Sequence, residues 1–436
     1  MRLKITAALS AALLAASGTS ALATTITVAT VNNNDMVVMQ KLSKVWEKET
    51  GNHVKWVVLE ENVLRQRVTT DIATHGGQFD VVTIGAYETP IWAKRGWLDK
   101  LNDFPASYDY NDLLAPVRSA LTVNGSMYAV PFYSEASFTM YRKDLFEKAG
   151  LTMPDQPTYA QIEQFADKLT DKSKQQYGIC LRGKPGWGEN MAFLGTLVNS
   201  NGGRWFDMDW KPQLTTKPWE DAINYYVKLM QKDGPPGAAS DGFNEVEALF
   251  ATGHCAIWVD STVAAGMLED PKQSQVAGKV GFAKAPIAVT DKGASWQWIW
   301  SLAVPSSSKK EKVAKQFIAW ATSKQYIDLV GKTDGWVLAP PGTRMSTYQN
   351  PDYLAAAPFA KQVLAAVQSV DPQHPTLQPV PYTGIQFVTI PPFQQIGTTV
   401  GQDIAGALSG STSVQAALQS AQDSTTSAMQ QAGYLK

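Results

Sequence analysis

Five segments between residues 25 and 84 alternate between two periodicities, and few folds accept that order. Residues 25–29 string together β-branched side chains in the manner of a buried strand. After Asn32-Asn33-Asn34-Asp35, the apolar residues Met36, Met39, Leu42, Val45 and Trp46 recur at helical spacing, and Gly51 marks the stop. Residues 53–59 read as a second strand, 63–73 as a second helix and 79–84 as a third strand. This β-α-β-α-β order predicts an α/β fold with a mostly parallel sheet and helices on its faces. Such sheets take ligands outside the carboxyl ends of their strands. The rule singles out the loops 32–35, 60–62 and 85–88 and the stretch after Val130.

The pattern continues in a second unit. Residues 129–133 form a strand that runs straight into 137–141, and a short helix over 143–150 ends in glycine. A helix over 159–170, a strand at 177–181 and a helix at 189–200 follow, then helices near 218–233 and 246–252. Strands are expected at 256–259, 280–283 and 302–304. Before the last of these Trp296, Trp298 and Trp300 alternate, so all three project from one face of extended chain. The tail from Val414 is rich in Ala, Gln and Ser and reads as a closing helix. A chain of 436 residues suits two or three domains, and no internal repeat is visible.

The first 23 residues read as an address. Arg2 and Lys4 precede an apolar run over 5–16, and Ala21-Leu22-Ala23 is a signal-peptide cleavage pattern, with removal expected before Thr24. A membrane anchor is the alternative, but the run is short for ~30 Å of hydrocarbon, and no cysteine follows to carry a lipid. Losing Arg2 and Lys4 leaves 36 basic against 39 acidic residues, a formal charge of −3. A soluble, exported, periplasmic protein is expected. In that compartment Cys180 and Cys255, each in a short buried segment, either pair or stay as buried thiols.

Motifs for catalysis are scarce. There is no G-x-S-x-G elbow and no H-E-x-x-H, and Gly331-Lys332-Thr333 lacks the upstream glycine of a phosphate loop. The four histidines stand singly at 53, 75, 254 and 374, and two cysteines make no metal cluster. No basic run tracks a phosphate backbone, so nucleic acid is not an expected partner. A glycosidase-like carboxylate pair stays open, because spacing in sequence does not give spacing in space. What stands out is Trp, Tyr, Arg, Asp, Glu and Asn at strand ends. Carboxylates accept hydroxyl protons, arginine donates through a planar fork and aromatic faces cover C–H edges, which together suit a polyhydroxylated ligand.

The segment Leu59-Glu60-Glu61-Asn62-Val63-Leu64-Arg65-Gln66-Arg67, with Gly76-Gly77-Gln78-Phe79-Asp80-Val81, resembles the N-terminal lobe of periplasmic solute-binding proteins of ABC importers, in the maltose-binding-like family. Gly183-Lys184-Pro185-Gly186-Trp187-Gly188-Glu189-Asn190-Met191 and Leu338-Ala339-Pro340-Pro341-Gly342-Thr343-Arg344 are most similar to its sorbitol/mannitol branch. The likeness spans essentially the whole mature chain. It implies a two-lobe, type II-like binding-protein fold with a ligand cleft between the lobes. Residues 24–132 and 286–336 would form one lobe, and 133–285 and the helical 337–436 the other. Rotation would occur about crossings near Tyr133, Pro286 and Trp336.

The same resemblance implies ligand contacts at Tyr87, Glu88, Glu135, Asn190, Asp260 and Trp300, and at Asn33, Glu60 and Arg65 in a loop of variable length. Five further positions are read from their own context. Trp298 lines the cleft with Trp300 or belongs to a core stripe. Arg182 follows a strand and points to the cleft or to solvent. Trp187 sits in a Gly- and Pro-flanked loop, where a large aromatic covers a ligand or fills a core. Arg344 touches ligand or ties its loop to a carboxylate, and Tyr133 serves the ligand or the hinge. The implied function is capture of a linear polyol (sorbitol, mannitol or arabitol) by a monomer that delivers it to the permease subunits of an ABC importer, without cofactor, metal or catalysis. A mono- or oligosaccharide binder, an exported carbohydrate-active enzyme and a structural surface protein are the alternatives. Replacing Glu135 or Asp260 by Ala is expected to abolish binding and leave the fold intact.

Overall fold

Strand β1 (Thr25–Val31) lies between β2 (His53–Leu59) and β3 (Val81–Ile84), parallel to both. Helices α1 (Asn34–Thr50) and α2 (Glu61–Ala73) make the two crossovers. The computed structural model describes residues 23–436; the expected signal peptide, but for Ala23, lies outside the described residues. Helix α1 buries Met36, Met39, Leu42 and Trp46, with Trp46 edge-on to Phe317 at 5.2 Å. Each such side chain contributes roughly 1.5–3 kcal/mol of burial. Gly51 ends α1 at φ 72, a left-handed turn that a side chain would disfavour.

Beyond β3 the sheet changes character. A small hairpin, β4 (Thr122–Val123) with β5 (Ser126–Met127), precedes the long strand β6 (Val130–Arg142). The expected strands at 129–133 and 137–141 are therefore one. Its first half pairs with β9 (Gln297–Ala303), and its second half with both β7 (Ile257–Ser261) and β8 (Val280–Lys284). The order is β2-β1-β3-β9-β6-β7, with β8 also on β6. All pairings made by β6 and β9 are antiparallel. The mostly parallel expectation thus holds for β1 to β3 and gives way to a mixed sheet elsewhere. Local periodicity reports that a strand exists, whereas its direction depends on long-range connections.

The expected strand at 177–181 is reduced to two bridges, Tyr177 to Cys255 and Cys180 to Trp258. The Gly178 N–H donates to Thr170 Oγ1 instead of a ladder carbonyl, and a Cβ there would stand 2.0 Å from Ala166 O, so the segment is pinned against a helix. Cys180 and Cys255 are bridged, with Cα atoms 5.8 Å apart. Helices Phe393–Leu408 and Val414–Gln431 pack together at the end of the chain.

Candidate functional site

The β6–β9 register sets Glu135 opposite Trp298 and Tyr133 opposite Trp300. Around this point lies a small cavity. Asn33, Glu61, Arg65, Glu135, Arg182, Trp187, Gly188, Ala192, Phe243, Trp296, Trp298, Trp300 and Gln386 line it. The lining converges from the β1–α1 loop, from α2, from the β6–β9 ladder and from the loop before the helix Asn190–Ser200.

Two arginines organise the walls. One helical turn separates Glu61 from Arg65, and Glu61 Oε1 accepts from Arg65 Nε at 3.1 Å and from Nη2 at 2.7 Å. Arg65 Nη1 donates to Glu88 Oε1 at 2.8 Å. The guanidinium lies 4.0 Å from the Trp187 ring, 4.7 Å from Trp298 and 5.1 Å from Trp300. Arg182 forms a fork with Asp260, Nε to Oδ2 at 2.8 Å and Nη2 to Oδ1 at 2.6 Å, and gives Nη1 to Gly188 O at 2.7 Å. Burial opposes the charge of both arginines. Glu61 and Glu88 around Arg65, and Asp260 beside Arg182, outweigh it and hold both above their ordinary pKa.

Glu135 is different. Burial pushes its carboxyl up to about 8, and the Ser261 hydroxyl on Oε2 and the charge of Arg182 offset this only partly. Burial also lifts Glu189 and Glu247 to about 8, with Glu61 adding to the effect on Glu189 and Asp35 to that on Glu247. A carboxyl raised in this way takes up a proton more readily than usual, and when protonated it can donate as well as accept, whereas a neighbouring cation would return it to the ionised form. The indole nitrogens of Trp187 and Trp298 are buried with no hydrogen-bond partner among the described residues. A donor left this way costs about 1–3 kcal/mol. The arrangement offers donors, acceptors and aromatic faces within one small space.

Of the residues singled out from sequence, Asn33, Arg65, Glu135, Arg182, Trp187, Trp298 and Trp300 line the cavity together. Several others stand behind it. Glu88 and Asp260 hold the two arginines. The Tyr133 hydroxyl accepts from Asn33 Nδ2 at 2.8 Å. Asn190 donates to Gly401 O at 2.9 Å and accepts from Gly186 N at 3.2 Å, which fixes the loop carrying Trp187. Tyr87 packs on Trp187 at 4.9 Å and donates to Ile390 O at 3.0 Å.

Two assignments move. Glu60 sits outside the cavity, capping α2 through Val63 N and pairing with Lys184 at 2.8 Å, beside Asn62 Nδ2 donating to Pro185 O at 3.1 Å. Arg344 is corrected to a structural tie. It is fully buried away from the cavity, gives Nε to Thr322 O at 3.1 Å and Nη1 to Asp112 Oδ2 at 3.2 Å, and stacks on Tyr108. A buried guanidinium needs such partners, and the loop-to-carboxylate alternative had named this role.

The lining also contains residues not assigned from sequence. Glu61 carried a signal in its helical spacing to Arg65, and Trp296 in its alternation with Trp298. Phe243 and Gln386 carried none, since each comes from a segment distant in the chain; Gln386 is held there by Nε2 donating to Gln297 O at 2.6 Å.

The profile of the family described as bacterial extracellular solute-binding protein matches residues 31–327. A mannitol-binding protein of Pseudomonas aeruginosa is 56% identical over 433 residues, 99% of each chain. An ABC-transporter solute-binding protein from Agrobacterium vitis S4, solved with bound D-mannitol, superposes with a TM-score of 0.94 at 58% identity, covering 95% of this chain and 100% of that one. A second, from Agrobacterium radiobacter K84 in complex with ribitol, gives 0.82 at 28% identity, covering 93% and 98%. The two-lobe α/β binding-protein fold expected from sequence is thereby borne out.

Proposed function

Because this chain belongs to the bacterial extracellular solute-binding proteins, we propose that it captures a linear polyol, mannitol foremost, and delivers it to the permease subunits of an ABC importer. The observation that carries this reading is the cavity itself, which brings Trp187, Trp298 and Trp300 together with the Glu135 carboxyl and with two arginines held by carboxylates. The mannitol bound by relatives of this identity supports the choice of ligand. Freezing a linear polyol costs roughly 0.5–1 kcal/mol or more per rotor, by analogy with immobilised side chains. Hydrogen bonds to charged groups offset this at about 1.5–3 kcal/mol each.

In this proposal residues 24–132 and 286–336 form one lobe and 133–285 and 337–436 the other. The division of β6 between β9 on one side and β7 and β8 on the other supports it. Asn33, Glu61 and Arg65 then belong to one lobe and Arg182, Trp187 and Phe243 to the other, so a ligand in the cavity favours closure by touching both. The chain acts as an exported monomer after cleavage before Thr24. It binds without turnover, in keeping with Glu61, Glu88 and Asp260 being engaged by arginines.

Tryptophan fluorescence titrated with mannitol, sorbitol, arabitol, glucose and maltose tests the reading, with product analysis of every sample. A saturable response to alditols without product is expected. A response to maltose alone would move the substrate class, and turnover or silence across the panel would overturn the proposal.

A further inference from the structure

The charges at the cavity do not balance, and the imbalance has a direction. Two guanidinium groups, Arg65 and Arg182, are paired with three carboxylates, Glu61, Glu88 and Asp260, and the buried carboxyls of Glu135 and Glu189 stand beside them as further groups that a cation would ionise. Both arginines are consumed: Arg65 by Glu61 and Glu88, and Arg182 by Asp260 and the Gly188 carbonyl. Glu189 stands 3.7 Å from Arg182 and accepts from Phe243 N at 3.3 Å. Lys184, the nearby lysine that follows Gly183, is taken by Glu60.

Glu135 is the group left over. Its side chain is 5% exposed and lines the cavity, Oε2 accepts from Ser261, and Oε1 has no hydrogen-bond partner among the described residues. Glu61 also lines the cavity, with only Oε1 engaged by Arg65. The same lining includes Trp187, Trp298 and Trp300, whose π-electrons already hold the Arg65 cation, and Trp296.

Resting on the polyol reading above, we propose that the cavity also takes cationic polyols, the 1-amino-1-deoxyalditols, with the ammonium group against Glu135, and rejects the matching aldonates. An ammonium supplies the counter-charge that the walls lack and three donors where a hydroxyl has one. The raised carboxyl of Glu135 fits this, since a neighbouring cation favours the ionised form. An aldonate carboxylate meets the same excess of negative charge with no free guanidinium to receive it.

Calorimetric titration of the purified protein at pH 7 with D-mannitol, 1-amino-1-deoxy-D-mannitol and D-mannonate tests the proposal. The amine is expected to bind as tightly as mannitol, within threefold, or tighter, and mannonate at least a hundredfold more weakly. In Glu135→Gln the affinity for the amine relative to mannitol is expected to fall tenfold or more. An amine more than threefold weaker than mannitol, mannonate matching the amine, or a variant that weakens both ligands equally while still binding them overturns it. Should the variant bind neither compound, the wild-type series decides alone. Loss of all three ligands in the wild type removes the polyol reading, whereas mannitol binding with the amine shut out removes only this extension.

Discussion

Asp260 grips Arg182 through two parallel contacts, Oδ2 accepting from Nε at 2.8 Å and Oδ1 from Nη2 at 2.6 Å, with both residues at most 5% exposed. Trp258 Nε1 and Ser261 N complete the carboxylate's shell. Removing one partner of such a pair leaves a buried charge uncompensated, at about 3–5 kcal/mol. Asp260→Ala is therefore expected to lose ligand binding and also to melt several degrees lower. The pairing adds a stability cost to the expectation drawn from sequence, which took Asp260 as a direct ligand contact. Scanning calorimetry beside a ligand titration checks it, and an unchanged melting temperature would count against the pairing as a stabilising element.

The carboxyls of Glu135, Glu189 and Glu247 are raised by burial from 4.5 to about 8, and that of Asp35 from 3.8 to about 7. The folded protein therefore holds these protons at pH values where the unfolded chain has released them. Stability is greatest below the unfolded values, declines as pH rises through the window from about 4 to 8, and levels off above it. Apo protein is expected to melt lower at pH 9 than at pH 5. Glu135→Gln should flatten part of that decline, to the extent of a few kcal/mol for shifts of this kind. Melting curves between pH 5 and 9 for both proteins test this, and parallel slopes would remove Glu135 as a contributor.

What the sequence made legible divides along physical lines. Periodicity located β1, α1, β2 and α2 because one face of each packs on a single core, and strand ends marked the loops that hold Asn33 and Glu135 because ligands meet sheets there, whereas Arg65 and Trp300 came from the family resemblance. Direction was not legible: nothing local to residues 297–303 says that β9 runs antiparallel between β3 and β6. Nor was the difference between touching the cavity and holding what touches it. Asp260 and Glu88 satisfy arginines, and Arg344 satisfies a loop, yet all three read from sequence as charged residues near predicted strand ends or turns. Separating these roles requires knowing which buried charge each side chain faces.

Cys180 and Cys255 are 75 residues apart and bridged. Cys180 lies two residues before Arg182, and Cys255 two before the strand that carries Asp260. In the chain-entropy account, closing a loop of this length stabilises by about 4 kcal/mol. The double variant Cys180→Ala, Cys255→Ala is expected to unfold at lower denaturant, with a loss of about 2–4 kcal/mol. Thiol titration of the unfolded, unreduced wild type should find no free thiol. Two titratable thiols, or a double variant as stable as the parent, would refute the bridge as a stabilising link.

Gly85 tests whether Trp298 must lie where it does. A Cβ at this position would stand 2.1 Å from Trp298 Cζ2 and 2.3 Å from Cη2. The indole cannot give way freely, because Trp187 and Trp300 each lie 5.4 Å from it and Phe387 lies 5.8 Å away. Gly85→Ala therefore overpacks the wall, at about 1–3 kcal/mol of stability, and drives Trp298 toward the cavity. Mannitol affinity is expected to fall about tenfold or more, since a displacement costing 1.4 kcal/mol is already tenfold. Gly96 is the control: at φ +71 with nothing within 4 Å, Gly96→Ala strains the backbone without touching the cavity. It should lose roughly 1–2 kcal/mol of stability and keep its affinity. Equal affinity losses in the two variants would show that Gly85 acts through general destabilisation rather than through Trp298.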